Sequence, residues 1–202
     1  MVEIKNLQKS FGERVLFQNF NLQINTGEFV VFSGMSGCGK TTLLSMIGGL
    51  EPFDSGEIMV DGIDISKKKN QQKYLGKKAG FLFQNFALIE DKTVKQNMEI
   101  IRKPNRSDIS IDQALDTVGL LEMKDKKVYT LSGGEQQRIA LARLMVKKCD
   151  LILCDEPTGS LDKVNGEKIM SVLWDMNKQG KTIILVTHDE EFKKTGGRII
   201  EL

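Results

Sequence analysis

The sequence predicts an α/β domain whose mainly parallel, doubly wound sheet is interrupted by a long helical insertion. Short apolar runs of strand length, among them residues 29–33 and 79–83, alternate with segments of helical character. Residues 29–33 run directly into a glycine-rich loop, and a helix is predicted immediately afterwards at residues 41–47. Strands that alternate with helices are typical of parallel sheets. In such sheets, functional sites lie at the carboxyl ends of the strands.

The elements on either side of the insertion follow the same pattern. Before it, strand-like stretches occur at residues 2–7 and 20–24, and residues 57–64 are typical of a hairpin at a sheet edge. After it, a helix is expected at residues 161–178. The strands predicted in this second part of the chain are residues 151–154, 182–187 and 198–202.

The insertion spans residues 86 to about 148 and shows helical periodicity. Val94, Met98 and Ile101 lie at positions i, i+4 and i+7, which places them on one face of a helix. Residues 135–146 are rich in strong helix formers such as Gln, Arg, Ala and Leu. We therefore expect a single domain over residues 1–202. Its core comprises residues 1–85 and 147–202, and residues 86–146 form a helical subdomain.

The composition is that of a soluble domain and gives no indication of a nucleic-acid partner. The 202 residues are 40% hydrophobic, and the formal net charge of +2 is too small to indicate a nucleic-acid partner. No apolar run approaches the roughly 20 residues that cross a bilayer, and the start lacks a signal-peptide pattern, so we expect a cytosolic chain. Lysines cluster at residues 66–78 and 122–127. A solvated face explains both clusters, and attraction to an anionic membrane surface is the alternative.

A phosphate-binding loop is the first motif with a chemical meaning. Residues 34–41 satisfy the pattern G-x-x-x-x-G-K-[ST] between a predicted strand and a predicted helix. The backbone amides of such a loop curl around phosphate oxygens, and the helix directs the positive end of its dipole at them. Lys40 is expected to reach the terminal phosphates, and the Thr41 hydroxyl to coordinate magnesium. The alternative, a plain glycine-rich turn, is disfavoured by the flanking strand and helix.

Two carboxylates end an apolar strand in the second half of the chain. Asp155 lies at the strand tip, where it can hold magnesium through its water shell. Glu156 follows, and because strand side chains alternate it is predicted to point the other way. There it could polarise an attacking water. A surface acidic pair would explain the two residues equally well by themselves, and the phosphate loop favours the functional interpretation.

A second glycine-rich motif, Ser132-Gly-Gly-Glu135, precedes the strongest predicted helix. It fits a capping box, in which the Ser and Glu side chains satisfy backbone amides. A capped helix start with two glycines also has exposed amides at a positive dipole end, which suits a γ-phosphate. Because the phosphate loop already has its own helix and lysine, we expect this second site to serve the ATP of a partner copy.

Three single residues are further candidates. Gln84 follows the strand at 79–83, and its amide could reach magnesium or the attacking water, although loop glutamines are common. His188 follows the strand at 182–187 at the expected catalytic edge, although a lone histidine is usually structural. Phe11, beside Gly12, could stack on adenine or be an ordinary core aromatic.

With these motifs in order, the chain resembles the ATP-binding-cassette ATPases over its whole length. The resemblance implies a P-loop NTPase fold with an N-terminal antiparallel β subdomain and an inserted α-helical subdomain. It also implies ATP and Mg²⁺ as cofactors and Glu156 as the catalytic base. His188 matches the switch histidine near the γ-phosphate, and Phe11 stands where the family usually has tyrosine. Stacking on adenine should survive this change, without any contribution from the hydroxyl.

The resemblance also implies four sets of site residues. The catalytic set is Glu156, His188, Gln84 and Lys40, and the metal set is Thr41, Gln84 and Asp155. The residues implied to bind ATP are Phe11, Gly34, Met35, Ser36, Gly37, Cys38, Gly39, Lys40, Thr41 and Thr42. The residues implied to contact the partner's ATP in trans are Ser132, Gly133, Gly134, Gln136 and Asp162, the last in a loop at 160–162 that crosses the dimer interface.

Within the family, residues 131–138 and 155–162 resemble the branch that contains macrolide-export, lipoprotein-release, cell-division and bacitracin-resistance ATPases. Residues 83–90 are most similar to small ATPases for bacteriocin or peptide export and immunity. The branch pairs with a separate multi-span membrane permease. It implies a peripheral subunit at the cytoplasmic face of the cell membrane that acts as an ATP-dependent, head-to-tail homodimer, with a heterodimer left open. The implied cargo is an exported peptide, bacteriocin, antibiotic or lipid-like molecule.

Other functions fit the motifs less well. Cell-division relatives gate a membrane partner without moving a solute, which keeps that alternative open. Chromosome-maintenance and DNA-repair relatives carry a long coiled coil between the two glycine-rich motifs, but here about ninety residues separate them without a sustained heptad pattern. A small-molecule kinase would leave Glu156 unexplained. For the permease, the expected docking surface is residues 86–101, with Phe86, Leu88 and Ile89, unless these side chains simply pack the helical subdomain.

Overall fold

Two β-sheets and six α-helices make up the computed structural model, which describes residues 1–159, 161–189 and 197–202. In chain order, the strands are β1 (Val2–Phe11), β2 (Arg14–Ile24), β3 (Phe29–Ser33), β4 (Ser55–Val60), β5 (Ile63–Asp64), β6 (Ala79–Leu82), β7 (Leu151–Asp155), β8 (Thr182–Val186) and β9 (Arg198–Glu201). The helices are α1 (Lys40–Ile47), α2 (Lys68–Lys77), α3 (Val94–Glu99), α4 (Ile111–Thr117), α5 (Gly133–Val146) and α6 (Lys163–Lys178).

The parallel sheet has the strand order β6-β7-β8-β3-β9, and the antiparallel sheet has the order β2-β1-β4-β5. Strand β6 pairs in parallel with β7, although α3, α4 and α5 lie between them in sequence. The predicted α/β fold with a mainly parallel sheet, an N-terminal antiparallel part and inserted helices is therefore confirmed. The hairpin predicted at the edge is also present, since β5 is the outer strand of the antiparallel sheet.

The inner strands β3 and β8 are buried along their whole length because both faces of the sheet are covered there. In β3 and β8, Val31, Ile183 and Leu185 belong to a core cluster that includes the side chains of α5 and α6. The alternating residues Val30 and Ile184 belong to a second cluster, formed with α1 and the antiparallel sheet. Burial on two faces explains why these strands lack the apolar–polar alternation of a half-exposed strand.

Helix α2 was not predicted from the sequence, because it lacks an apolar stripe. Tyr74 is its buried residue, and the Tyr74 hydroxyl donates to the carbonyl of Ile47 at 2.6 Å. Burial raises the pKa of this phenol well above its ordinary value. Tyr74 and the partly buried Leu75 are adjacent in sequence, so the contacts of α2 with the core leave no helical periodicity in its sequence.

The helical prediction from residue 86 onward is wrong at its beginning. Phe86 and Ala87 have left-handed backbone angles, with φ of 60° and 48°. The Arg143 guanidinium of α5 donates to the carbonyls of Phe86 and Ala87 at 3.0 and 2.7 Å. Since a distant arginine holds this turn, its conformation is a tertiary effect. Val94 and Met98, on the predicted apolar face, are buried in the core cluster that includes α5, and Ile101 packs against this cluster from beyond the end of α3.

Among the described residues, no helix is long and apolar enough to cross a membrane.

Candidate nucleotide-binding site

A cleft of about 790 Å³ lies at the carboxyl ends of the parallel strands. It is bordered by the β1–β2 turn, the phosphate loop and the residues that follow β7 and β8. The location matches the expectation for parallel sheets. The predicted site residues that line the cleft are Phe11, Ser36, Gly37, Gly39, Lys40, Thr41, Thr42, Gln84, Asp155, Glu156 and His188.

The phosphate loop depends on glycine at two crowded positions. Gly34 has a φ of 142°, and a Cβ there would lie 2.7 Å from the carbonyl oxygen of Leu202. Gly39 has a φ of 106°, and a Cβ there would lie 2.9 Å from the Phe17 ring. Helix α1 begins directly after Gly39, without a side-chain cap and without an acidic residue in its first turn. Its first amides are therefore available to an anion.

Lys40 lies inside the loop rather than in solvent. Its side chain is buried, and Nζ donates to the carbonyls of Gly34 and Met35, each at 2.9 Å. The loop thus holds the ammonium group beside the uncapped start of α1. Met35 and Cys38 belong to the same loop but do not line the cleft.

Thr41 and Asp155 meet across the floor of the cleft. The Thr41 hydroxyl donates to Asp155 Oδ1 at 2.9 Å, which joins the first turn of α1 to the tip of β7. Burial raises the pKa of Asp155, while the Thr41 hydrogen bond and the Lys40 charge oppose that shift. A hydroxyl and a partly buried carboxylate at this distance form an all-oxygen donor set of the kind that Mg²⁺ prefers.

Glu156 faces His188, but not for the reason that strand alternation suggests. Strand β7 ends at Asp155, and Glu156 has a left-handed φ of 46° with its amide bonded to the carbonyl of Val186 at 2.9 Å. The sequence-based explanation of its direction was therefore wrong: this backbone turn directs the side chain. The His188 amide donates to Glu156 Oε2 at 3.3 Å, and His188 Nε2 lies 3.3 Å from Oε1.

The environment of Glu156 suits a general base. Burial raises its pKa, while the amide and the ring of His188 oppose the shift. Oε1 is buried and accepts no aligned hydrogen bond from any described residue, despite the nearby imidazole. A buried carboxylate oxygen with a free lone pair can accept a proton from a bound water.

The second glycine-rich motif lies outside this cleft. The predicted capping box is present, because Ser132 Oγ accepts from the Glu135 amide at 3.3 Å and the Ser132 amide donates to Glu135 Oε2 at 2.8 Å. The Ser132 hydroxyl also donates to Glu135 Oε2 at 2.8 Å, and this bond, followed by the bond from the Ser132 amide, lowers the pKa of Glu135. Ser132 and Gly133 are exposed, and Gln136 donates to the carbonyl of Leu131 at 3.0 Å.

Asp162 also lies outside the cleft, where it caps a helix. Its Oδ1 accepts from the Asn165 amide at 2.9 Å at the start of α6, and this bond lowers the Asp162 pKa. Helix α6 therefore begins at Lys163, two residues later than predicted. Ser160, in the predicted interface loop, lies outside the described residues.

The comparisons with known proteins agree with this geometry. The family model described as ABC transporter matches residues 17–159. The chain belongs to the ABC transporter family. The match includes the phosphate loop, Gln84, the signature motif at residues 131–138, Asp155 and Glu156, while Phe11, Asp162 and His188 lie beyond it.

Two relatives and one solved structure illustrate the similarity. The macrolide export ATP-binding/permease protein MacB of Campylobacter jejuni is 37% identical over all of this chain, which spans about a third of that protein (33%). The lipoprotein-releasing system ATP-binding protein LolD of Bacteroides fragilis is 36% identical, with 100% of this chain and 97% of LolD covered. The ATP-binding cassette MJ0796 of Methanocaldococcus jannaschii, solved as a post-hydrolysis dimer with ADP and Pi, superimposes with a TM-score of 0.87. It is 36% identical, and the match covers 100% of this chain and 94% of that one. The present protein is accordingly an ATP-binding, ATP-hydrolysing ABC ATPase.

Two residues, Lys9 and Arg14, contact or form the entrance of this ABC ATPase's cleft but were missed in the sequence analysis. Phe11 is half exposed, and Lys9 Nζ lies 4.3 Å from the centre of its ring, a cation–π distance. Lys9 is itself buried, and it bonds Glu51 at 2.6 Å and the carbonyl of Pro52 at 2.8 Å. One face of Phe11 is thus supported from below. The alternation of side chains along β1 could have predicted this contact, since Lys9 lies two residues before Phe11 and therefore on the same side of the strand.

The second missed residue is Arg14, which lines the cleft. Its guanidinium donates to the carbonyl of Gly37 at 2.6 Å and so ties the β1–β2 turn to the phosphate loop. No motif marks this arginine, because the contact joins positions that are distant in sequence.

Proposed function

We propose that two copies of this ATPase close head to tail on two ATP molecules and thereby drive a separate multi-span membrane permease. One observation supports the proposed dimer. The phosphate loop, Asp155, Glu156 and His188 share one cleft, whereas the helix start at Ser132 and Gly133 is exposed and does not line that cleft. A second copy, rotated by two-fold symmetry, would bring that helix start to the γ-phosphate and complete the site.

In this proposal each residue has a distinct task. The amides of residues 34–42 and the Lys40 ammonium bind the phosphates, and Glu156 accepts a proton from the attacking water. Thr41, Asp155 and Gln84 would hold Mg²⁺, which supplies charge neutralisation of the phosphates when it is bound. His188 lies against Glu156, where it orients the carboxylate. Phe11 presents a half-exposed ring to adenine.

The proposed docking surface for the permease, residues 86–101, divides into buried and exposed parts. Phe86 and Leu88 are partly buried against the core beneath α5, whereas Ile89 is 45% exposed. The backbone of Ile89 is fixed, because the buried Asn97 amide bonds both its N–H and its carbonyl, at 2.8 and 3.0 Å. Ile89 therefore offers an apolar contact on a turn with a fixed backbone, five residues after Gln84. We place the protein at the cytoplasmic face of the membrane, attached through this surface.

For the cargo, we propose export of a peptide, bacteriocin, antibiotic or lipid-like molecule. The support is the resemblance of residues 131–138 and 155–162 to the macrolide-export and lipoprotein-release branch, together with the two relatives of that branch. Gating of a membrane partner without transport is the second candidate, on the same resemblance to cell-division ATPases.

The deciding experiment uses tagged Glu156→Gln, which is expected to bind ATP without hydrolysing it. With ATP it should elute as a dimer in size-exclusion chromatography with light scattering, and affinity purification from native membranes should recover a multi-span protein. A monomer at saturating ATP would refute the closed dimer. Recovery of soluble or DNA-bound partners alone would refute the permease.

Two neighbouring substitutions test the docking surface. Ile89→Glu should release the membrane partner while ATPase activity and melting temperature stay at wild-type values. Leu88→Glu is the packing control, because a charge there is buried against the core and should lower the melting temperature. If Ile89→Glu keeps its partner, the docking surface lies elsewhere.

A further inference from the structure

We propose that a basic groove on the ABC ATPase binds the anionic headgroups of phospholipids at the membrane surface. The basic groove is formed by Lys69, Lys73 and Lys77 on α2 and by Arg102 on the facing segment. It encloses about 410 Å³, and its remaining lining residues are Gln72, Gly76, Pro104 and Asn105. The proposal rests on the proposed function for its setting at a membrane, but the binding itself needs neither dimer nor permease.

The three lysines of the groove are expected to destabilise helix α2. Lys69, Lys73 and Lys77 follow one another at i, i+4 and i+8, so they share a face, and like charges at this spacing repel. The helix also begins with lysines at positions 67–69, has no side-chain cap and has no acidic residue in its first turn. Cations at a helix N-terminus oppose the macrodipole. Binding an anion along this face would relieve both costs.

Within the described part of the chain, nothing compensates the charge of the groove. Lys69, Lys73, Lys77 and Arg102 form no ion pair with a described residue, and no carboxylate lines the groove. The next lysine of the chain shows the contrast, since Lys78 pairs with Asp61 at 3.1 Å and with Asp150 at 2.8 Å. The cations of the groove thus differ from Lys78, which has two carboxylate partners among the described residues.

The chemistry of the lining favours lipid headgroups over a protein partner. Protein interfaces are depleted in lysine and contain aromatic or aliphatic anchors. The groove has lysines, amides, a glycine and a proline, and among its lining residues no aromatic or large aliphatic side chain. Phosphate groups need only the charge and the donors that these residues supply.

The position of the groove agrees with this occupant. Arg102 directly follows the proposed docking surface at residues 86–101, so a chain that docks there brings the groove towards the membrane. A basic residue near an anionic membrane surface strengthens binding by roughly fivefold. Three lysines should therefore contribute about 100-fold, and salt should weaken the effect.

The test is sedimentation of the free protein with vesicles of phosphatidylcholine alone or with added phosphatidylglycerol. Wild type should bind the phosphatidylglycerol vesicles at low salt, and the triple variant Lys69→Gln, Lys73→Gln, Lys77→Gln should lose about 10- to 100-fold in affinity. The matched control is Lys126→Gln, Lys168→Gln, Lys178→Gln, which removes the same charge from other surfaces and should bind like wild type. The groove variant should melt no lower than wild type, because it removes repulsion. Arg102→Gln, outside α2, provides a second variant with a smaller loss.

Three results would overturn the proposal: equal binding to both kinds of vesicle, equal losses in the groove and control variants, or competition by inorganic phosphate at low concentration, which would indicate a soluble anion. If the groove variant keeps vesicle binding but loses the membrane partner in affinity purification, the groove contacts protein instead. A failed dimer or permease experiment leaves the vesicle result unchanged, so the two proposals fail separately.

Discussion

The helix starts of α1 and α5 carry the two glycine-rich motifs, and they use their free amides in opposite ways. Helix α1 follows a left-handed Gly39, lacks a side-chain cap and has the Lys40 ammonium beside it. Helix α5 follows Ser132, whose capping box with Glu135 satisfies the amides of these two residues and places a carboxylate at the positive end of the helix. The start of α1 has a cation and no carboxylate beside its amides, whereas the start of α5 has the Glu135 carboxylate, and the capping box leaves the amides of Gly133 and Gly134 for a partner's phosphate.

This difference separates two measurable properties. Binding of ATP to one chain should depend on α1 and its lysine, and closure of the dimer should depend on α5. Substitutions can test this comparison by changing the start of α1, the start of α5 or neither. The largest effect is expected for Glu156, which belongs to neither helix start.

Glu156→Gln leaves both helix starts intact and removes the base. Hydrolysis should fall by about 10²- to 10⁴-fold, the usual contribution of a general base, while the Kd for ATP stays close to wild type. Steady-state phosphate release and calorimetric titration measure the two quantities. Glu167→Gln, on the exposed side of α6, is the control and should change neither. A loss of ATP affinity equal to the loss of rate would assign Glu156 to binding.

Lys40→Met removes the charge beside α1. Because a hydrogen bond from a charged group contributes about 1.5–3 kcal/mol, ATP affinity should fall by about 10- to 100-fold. Lys147→Met is the matched control, since Lys147 also bonds two backbone carbonyls, those of Leu75 and Ala79, outside the cleft. Calorimetry on both variants compares them. If the control weakens ATP binding as much as Lys40→Met, the effect is structural and α1 has no special role.

Ser132→Ala, combined with Glu156→Gln, tests α5. The affinity of a single chain for ATP should not change, but the dimer formed with ATP should weaken by about tenfold at each interface, the loss of one hydrogen bond to a charged group. Loss of an N-cap costs about 0.5–2 kcal/mol of stability by itself. Ser110→Ala controls for this, because Ser110 forms the same capping box with Gln113 at α4. Analytical ultracentrifugation should show a weaker dimer for the α5 variant alone, and equal weakening in both would contradict a site in trans.

The pH dependence gives the smallest expected effect, and it tests Glu156 rather than either helix start. Burial raises the Glu156 pKa, so ATPase activity should fall, as the pH decreases, at a higher pH than an ordinary glutamate would require. A carboxyl group whose pKa is higher in the folded chain than in the unfolded chain destabilises the fold. The destabilisation is present at pH values above the pKa in the unfolded chain, about 4.3 for a glutamate. Glu156→Gln should therefore raise the melting temperature at neutral pH, which differential scanning calorimetry at several pH values measures. The gain in melting temperature should vanish below pH values of about 4.3, the glutamate pKa in the unfolded chain. A gain that is the same at every pH would indicate better packing instead.

The amino-acid sequence by itself determined the parallel sheet, the phosphate loop and the capping box at α5. Each rests on a local rule: strands buried on two faces are apolar throughout, the loop needs glycines at positive φ, and Ser and Glu three residues apart satisfy each other's amides. These patterns lie within a few residues of one another, so they are visible in the chain alone. The same rules placed Lys40, Thr41 and Asp155 at the carboxyl edge of the sheet, where the structure has them.

Tertiary structure decided the features that join distant residues. The left-handed turn at Phe86 and Ala87 is held by Arg143, helix α2 by one tyrosine bonded to Ile47, and the direction of Glu156 by a backbone turn bonded to Val186. Lys9 beneath Phe11 and Arg14 on the phosphate loop are likewise contacts between elements. Their free energy comes from packing and hydrogen bonds that exist only once the chain has folded, which is why no local pattern predicts them.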